Sequence, residues 1–148
     1  MSAKSIILVD DDEIMNFIHR KIIESSSSFN VISFTKPSEA LERFAQFKPD
    51  QFPCILFLDI NMPQLNGWQF LECFQRLPNH IQNQCHVVMV TSSMDPRDIE
   101  KAKTFEIVKE FVVKPLTQEK FLDIAGKAGA LLQTNLTIAP HAIERRPE

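Results

Sequence analysis

The sequence predicts an α/β domain, a five-stranded parallel sheet covered by helices on both faces. Strand and helix patterns alternate five times along 148 residues, and such alternation implies right-handed βαβ crossovers. Four of the strand candidates contain unbroken apolar runs, the pattern of strands buried on both faces. Those four also end alike. Residues 6–9 run into Asp10 and Asp11, 55–58 into Asp59, 87–90 into Thr91, and 111–113 into Lys114 and Pro115. Parallel strands deliver their carboxyl ends to one edge, and open α/β sheets bind ligands at that edge.

The first strand covers about residues 5–9, and a helix starts near Asp12. Ile14, Phe17, Ile18 and Ile22 recur at i, i+3, i+4 and i+8, an apolar stripe of the kind that faces a core. The serine run 25–28 ends that helix. A short strand at 31–34 precedes Thr35, which reads as an N-cap with Pro37 in the first turn. Ala40, Leu41, Phe44 and Ala45 give the second helix its buried face. The third strand is 54–58, followed by a loop at 61–67. Phe70, Leu71, Phe74 and Leu77 mark a third helix that Pro78 stops. The fourth strand is 86–90. Asp95 and Pro96 then form an N-cap with proline at the first helical position, and Ile99, Ala102 and Phe105 line the fourth helix. The fifth strand is 110–113. A last helix opens near Thr117 and buries Phe121, Ile124, Ala125, Ala128, Leu131 and Leu132. Residues 1–132 therefore read as one domain, and 133–148 as a short flexible tail with no output domain.

A chain of this length buries about two-thirds of its unfolded surface, enough for one core. The apolar fraction of 44% and charged fraction of 24% are those of a globular protein. A net charge of −3 gives no attraction to nucleic acid or to a membrane surface. The early apolar run is too short for a signal peptide or a span, which points to the cytoplasm. Cys54, Cys73 and Cys85 lack metal or redox spacing and read as small buried hydrophobes. His19, His80, His86 and His141 lack ligand spacing and read as structural or solvent-facing.

Three carboxylates at one sheet edge, Asp10, Asp11 and Asp59, would repel one another strongly. A divalent cation together with Lys114 balances their charge. Hard oxygen donors with open coordination positions favour Mg²⁺, which completes its shell with water and phosphate oxygens. A cation, an ammonium and the Thr91 hydroxyl around a carboxylate suit a phosphoryl group, whose oxygens they would stabilise while the carboxylate attacks. Asp59 is the nucleophile candidate, alone at a central strand end opposite Lys114 and Thr91. Asp12 and Glu13 read instead as acids favouring a helix N-terminus.

The span 4–132 resembles the receiver domain of two-component response regulators, a flavodoxin-like doubly wound fold with strand order 2-1-3-4-5 and five helices. The resemblance rests on Asp10 and Asp11, on the Asp-x-x-Met-Pro-x-x-x-Gly string from Asp59 to Gly67, on Thr91, and on Lys114-Pro115. With no appended output domain, the chain is most similar to the single-domain, chemotaxis-type subset. The resemblance implies that Asp59 accepts a phosphoryl group from a sensor histidine kinase or histidine phosphotransfer protein. It implies Mg²⁺ on Asp11, Asp59 and the Asn61 carbonyl, with Asp10 acting through water. Lys114 would pair with phosphoryl oxygens, Thr91 would move to hydrogen-bond them, and Phe111 would swing inward. The surface of the fourth helix, fifth strand and last helix would then change its affinity for a downstream target protein. The Lys114–Pro115 bond would be cis. Small polar residues at Asn61 and Ser93, beside the acceptor and the switch threonine, imply a labile phosphoryl group. The segment 104–109 departs from the family in lacking a Gly-Ala pair, and Phe111 has no hydroxyl.

Two other functions use comparable residues. A phosphatase of the haloacid dehalogenase type places its nucleophile on the first strand in an Asp-x-Asp pattern. Here Asp10 is followed by Asp11 and Asp12, and no cap insertion is present. A receiver-like module that binds partners without phosphorylation would have no use for an intact acceptor site.

Overall fold

A computed structural model describes residues 5–92 and 94–137, with side chains through Gly129. Ser93, His141, the side chains of Leu131 and Leu132, and the segment after Thr137 lie outside the described residues.

The five strands are β1 (Ser5–Val9), β2 (Asn30–Phe34), β3 (Cys54–Asp59), β4 (Cys85–Thr91) and β5 (Val108–Val113). All neighbours pair in parallel in the order β2-β1-β3-β4-β5. Every residue of β1, β3 and β4 is buried, as expected of strands covered on both faces. Successive side chains alternate between two cores. Ile7, Val9, Leu56, Leu58, Val87 and Met89 pack with Phe44, Phe70 and Phe74 on one side. Ile6, Leu8, Ile55, Phe57, Val88 and Val90 pack with Ile23, Phe121 and Ile124 on the other.

The described helices are α1 (Glu13–Ser26), α2 (Pro37–Ala45), α3 (Gly67–Phe74), α4 (Asn79–Gln82), α5 (Pro96–Lys103) and α6 (Gln118–Thr137), with a 3₁₀ turn at Pro49–Gln51. Six helices stand where the sequence suggested five. The addition, α4, is one turn long and begins directly after Pro78, whose missing N–H and fixed φ end one helix and can start the next. It buries Ile81. The α2 N-cap is Lys36 rather than Thr35, and it makes no side-chain cap bond. Helix α6 runs past Leu132 to Thr137. Thr117 caps it by accepting the Lys120 N–H at 3.1 Å. No described helix is long and apolar enough to cross a membrane.

Helix α1 departs most from its sequence pattern. Ile14, Phe17 and Ile18 are 70%, 59% and 37% exposed, and the buried residues are Asn16, His19 and Ile23. The apolar stripe faces outward because hydrogen bonds fix the rotation of the helix. Asn16 Nδ2 donates to the Asp10 and Phe34 carbonyls at 3.0 and 3.2 Å, tying the ends of β1 and β2 together. His19 Nε2 accepts the Leu116 N–H at 3.0 Å.

Cys54 and Cys85 face each other across β3 and β4 with sulfurs 3.2 Å apart, and both are buried. They match the reading as small core residues, whereas Cys73 on α3 is only half-buried. His86 is buried too, and burial, then Lys109 and Lys127, push its pKa down to about 4.

Candidate functional site

The carboxyl edge of the sheet assembles the site. Asp10 follows β1, Asp59 ends β3, Thr91 ends β4 and Lys114 follows β5. Asp10, Asp59 and Thr91 are buried, whereas Asp11 is exposed at the mouth. Lys114 Nζ lies 2.8 Å from Asp10 Oδ2 and 3.1 Å from Asp59 Oδ1. One ammonium thus bridges two buried carboxylates.

Local structure holds each group in place. Asp10 Oδ1 accepts the Asp12 N–H at 2.9 Å, and Asp12 caps α1 by accepting the Ile14 and Met15 N–H groups. The sequence assigned Asp12 and Glu13 to the start of this helix, and they stand there. After β3, the Ile60 N–H donates to Val90 at 3.1 Å and the Gly67 N–H to Ile60 at 2.8 Å. That second bond folds the 61–66 loop back towards the end of β3. A Cβ at Gly67 would lie 2.7 Å from the Asp59 carbonyl oxygen and 2.9 Å from Ile60 Cα, so only glycine allows the approach. Asn66 and Gln69 close a reciprocal cap on α3. Across the sheet, the Lys114 N–H donates to the Thr91 carbonyl at 2.7 Å, and the Lys114–Pro115 bond is cis.

The electrostatics suit a carboxylate awaiting a cation. Burial, then the negative charge of Asp10, raises the Asp59 pKa to about 7, against the opposing pull of Lys114. Burial works against the Lys114 charge, but hydrogen bonds and proximity to Asp10 and Asp59 outweigh it and hold its pKa above the usual value. Carboxylate oxygens of Asp10, Asp11 and Asp59 lie within 4.8 Å of one another. This all-oxygen donor set fits a hard divalent cation such as Mg²⁺. Asn61 lies exposed just past β3, in the loop at the same edge.

The structure therefore brings together Asp10, Asp11, Asp59 and Lys114, with Thr91 on the adjoining strand. Phe111 is half-buried within β5, paired with Met89 of β4, and packs against the core containing Phe70 and Trp68. Sequence reasoning gave Asn16 and His19 no part here. Both line, with Asp10 and Asp59, a cavity of about 10 Å³ beneath the site. Their signal was a polar pair at i, i+3 opposite the apolar stripe of α1.

Known proteins resemble the chain in sequence and in fold. The model of the response regulator receiver domain matches residues 6–125. The chemotaxis protein CheY of Thermotoga maritima is 25% identical over 129 residues, covering 84% of this chain and 97% of that protein. A protein-glutamate methylesterase/protein-glutamine glutaminase of the same organism is 27% identical over 141 residues. That match covers 95% of this chain but only 35% of the methylesterase. Among solved structures, a two-component response regulator from Cytophaga hutchinsonii superposes with a TM-score of 0.76 at 30% identity, covering 86% of this chain and 98% of that one. By fold, motif and matched length, the chain belongs to the response regulator receiver domain family.

Proposed function

We propose that this receiver accepts a phosphoryl group on Asp59 from a phosphohistidine of a sensor kinase or phosphotransfer protein, and that the modification changes its affinity for a downstream target. The observation that carries the reading is the Lys114 ammonium bridging Asp59 and Asp10, with Asp11 in reach and Thr91 beside them. An Asp59 oxygen attacks phosphorus as the P–N bond to the donor imidazole breaks, and the imidazole leaves with its electron pair. Lys114 turns from Asp59 to the phosphoryl oxygens and offsets their charge. Asp11, Asp59 and the Asn61 carbonyl, with Asp10 acting through water, would hold Mg²⁺, which would supply the further positive charge that keeps Asp59 ionised and steadies the transferring group. Thr91 then hydrogen-bonds the phosphoryl group, and Phe111 follows it inward, so the surface of α5, β5 and α6 reports the change.

The exposed stripe Ile14, Phe17 and Ile18 supports docking of the donor beside the site, since α1 starts at the metal-binding loop. An apolar patch at the rim of a charged site fits a helical partner face. On this reading the reaction occurs in the cytoplasm, where a kinase has ATP to charge its histidine. The protein assists its own modification and turns over no outside substrate.

Acetyl phosphate with Mg²⁺ tests the reading. Intact mass is expected to show one added phosphoryl group on the wild type and none on Asp59→Asn. An unmodified wild type under fresh donor would overturn it.

A further inference from the structure

Helix α1 turns two polar residues inward although an apolar stripe was available for the same purpose. Burying imidazole and amide groups costs free energy unless they are hydrogen-bonded, so the bonds they make determine the arrangement. The bond from Leu116 to His19 spans 97 residues of chain and is buried. Leu116 follows Lys114 by two residues and is only 1% exposed. The turn carrying Lys114 is thus pinned on both sides, by Thr91 accepting the Lys114 N–H and by His19 accepting the Leu116 N–H.

That double anchor matters because a lysine side chain has four rotatable bonds and no intrinsic preference for a point between two carboxylates. Its Nζ can bridge Asp10 and Asp59 only if its backbone is held at a fixed distance from β1 and β3. Nε2 acts as an acceptor, so the imidazole carries its proton on Nδ1 and is neutral. It therefore adds no third cation to the balance of Lys114 against the carboxylates. His19 also lines a small cavity together with Asp10 and Asp59.

We propose that His19 is a positioning residue for phosphoryl transfer, holding the 114–116 turn so that the Lys114 ammonium meets the phosphoryl group on Asp59. The proposal rests on the phosphoacceptor reading above. It also gives α1 two roles, an apolar outer face for docking and a polar inner face that sets the site.

The test compares phosphorylation rates by acetyl phosphate at saturating Mg²⁺. His19→Leu, close in size but without an acceptor, is expected to slow the reaction about tenfold, since misplacement of about 1 Å can cost ~100-fold. His19→Gln places an acceptor oxygen near the Nε2 position and is expected to stay within about threefold of wild type. In a Lys114→Met background, His19→Leu should change the rate less than about twofold, because the group it positions is gone. His19→Met serves the same comparison if the leucine variant does not fold. An equally fast His19→Leu, or an undiminished effect without Lys114, overturns the positioning role alone. A wild type that takes no phosphoryl group overturns the phosphoacceptor reading and this role with it.

Discussion

The Lys114 ammonium lies 3.1 Å from the Asp59 carboxylate, and both are largely withdrawn from water. The same ammonium is 2.8 Å from Asp10, so it is shared between the proposed acceptor and a second buried carboxylate. Replacing it leaves two buried carboxylates with no cation between them. Lys114→Met is expected to slow phosphorylation by acetyl phosphate about 100-fold, the scale of losing one aimed charge at a transition state. Time-resolved intact mass measures it.

The raised Asp59 pKa makes the site pH-dependent in a defined direction. Its value of about 7 in the fold compares with roughly 3.9 for an unfolded aspartate. Between those values the native state binds more protons than the unfolded state, so this group's contribution to stability is lost as pH rises through 7. Asp59→Asn is expected to be about 1–2 kcal/mol more stable than wild type at about pH 8, with the margin vanishing towards about pH 4. Thermal melts in chelator read this. Under the proposed function Mg²⁺ displaces the same proton, so its affinity should rise between about pH 6 and 8, which calorimetry can follow.

Gly67 touches the Asp59–Ile60 backbone at the end of β3, with no room for a methyl group. Gly67→Ala must push α3 or the Asp59–Ile60 backbone aside, at a cost of about 1–3 kcal/mol. A loss of stability without a fall in phosphorylation rate would mean that α3 yields and the acceptor does not. The bond from Gly67 to Ile60 predicts that both fall together in denaturant and mass measurements.

The outward stripe on α1 allows the proposed donor docking to be tested apart from the chemistry. Phe17 is 59% exposed, so Phe17→Ser should change stability by no more than about 0.5 kcal/mol. Transfer from a phosphohistidine protein is expected to slow at least about tenfold, the loss of one aromatic anchor at an interface. The acetyl phosphate rate should not change. Parallel kinetics with the two donors decide it.

The sheet and most of the site were legible because their signals are local. An apolar run such as Ile55 to Leu58 can be buried on both faces only as an inner strand, and the residue that ends it must then lie at the carboxyl edge. Asp10, Asp59 and Thr91 follow from that alone, whereas Lys114 follows the edge strand β5, in which Val112 is buried and the other residues are part-exposed or exposed, contrary to the expectation of burial on both faces. Helix α1 was not legible in the same way. Its periodicity marks an apolar face but cannot say whether a core or a partner covers it, and the deciding bonds reach Phe34 and Leu116, far along the chain. His19 looked merely structural for the same reason, since its partner is a backbone N–H with no side-chain signature. The one-turn helix after Pro78 was hidden because proline signals an end and a beginning equally.

The most direct measurement locates the phosphoryl group. After reaction with acetyl phosphate and Mg²⁺, borohydride reduction converts an aspartyl phosphate to a stable alcohol that peptide mass spectrometry can place. A single reduced residue at Asp59, absent without Mg²⁺ and in Asp59→Asn, is the predicted result. Modification at Asp10 or Asp11, or none in the wild type, would contradict the assignment of Asp59 as the acceptor.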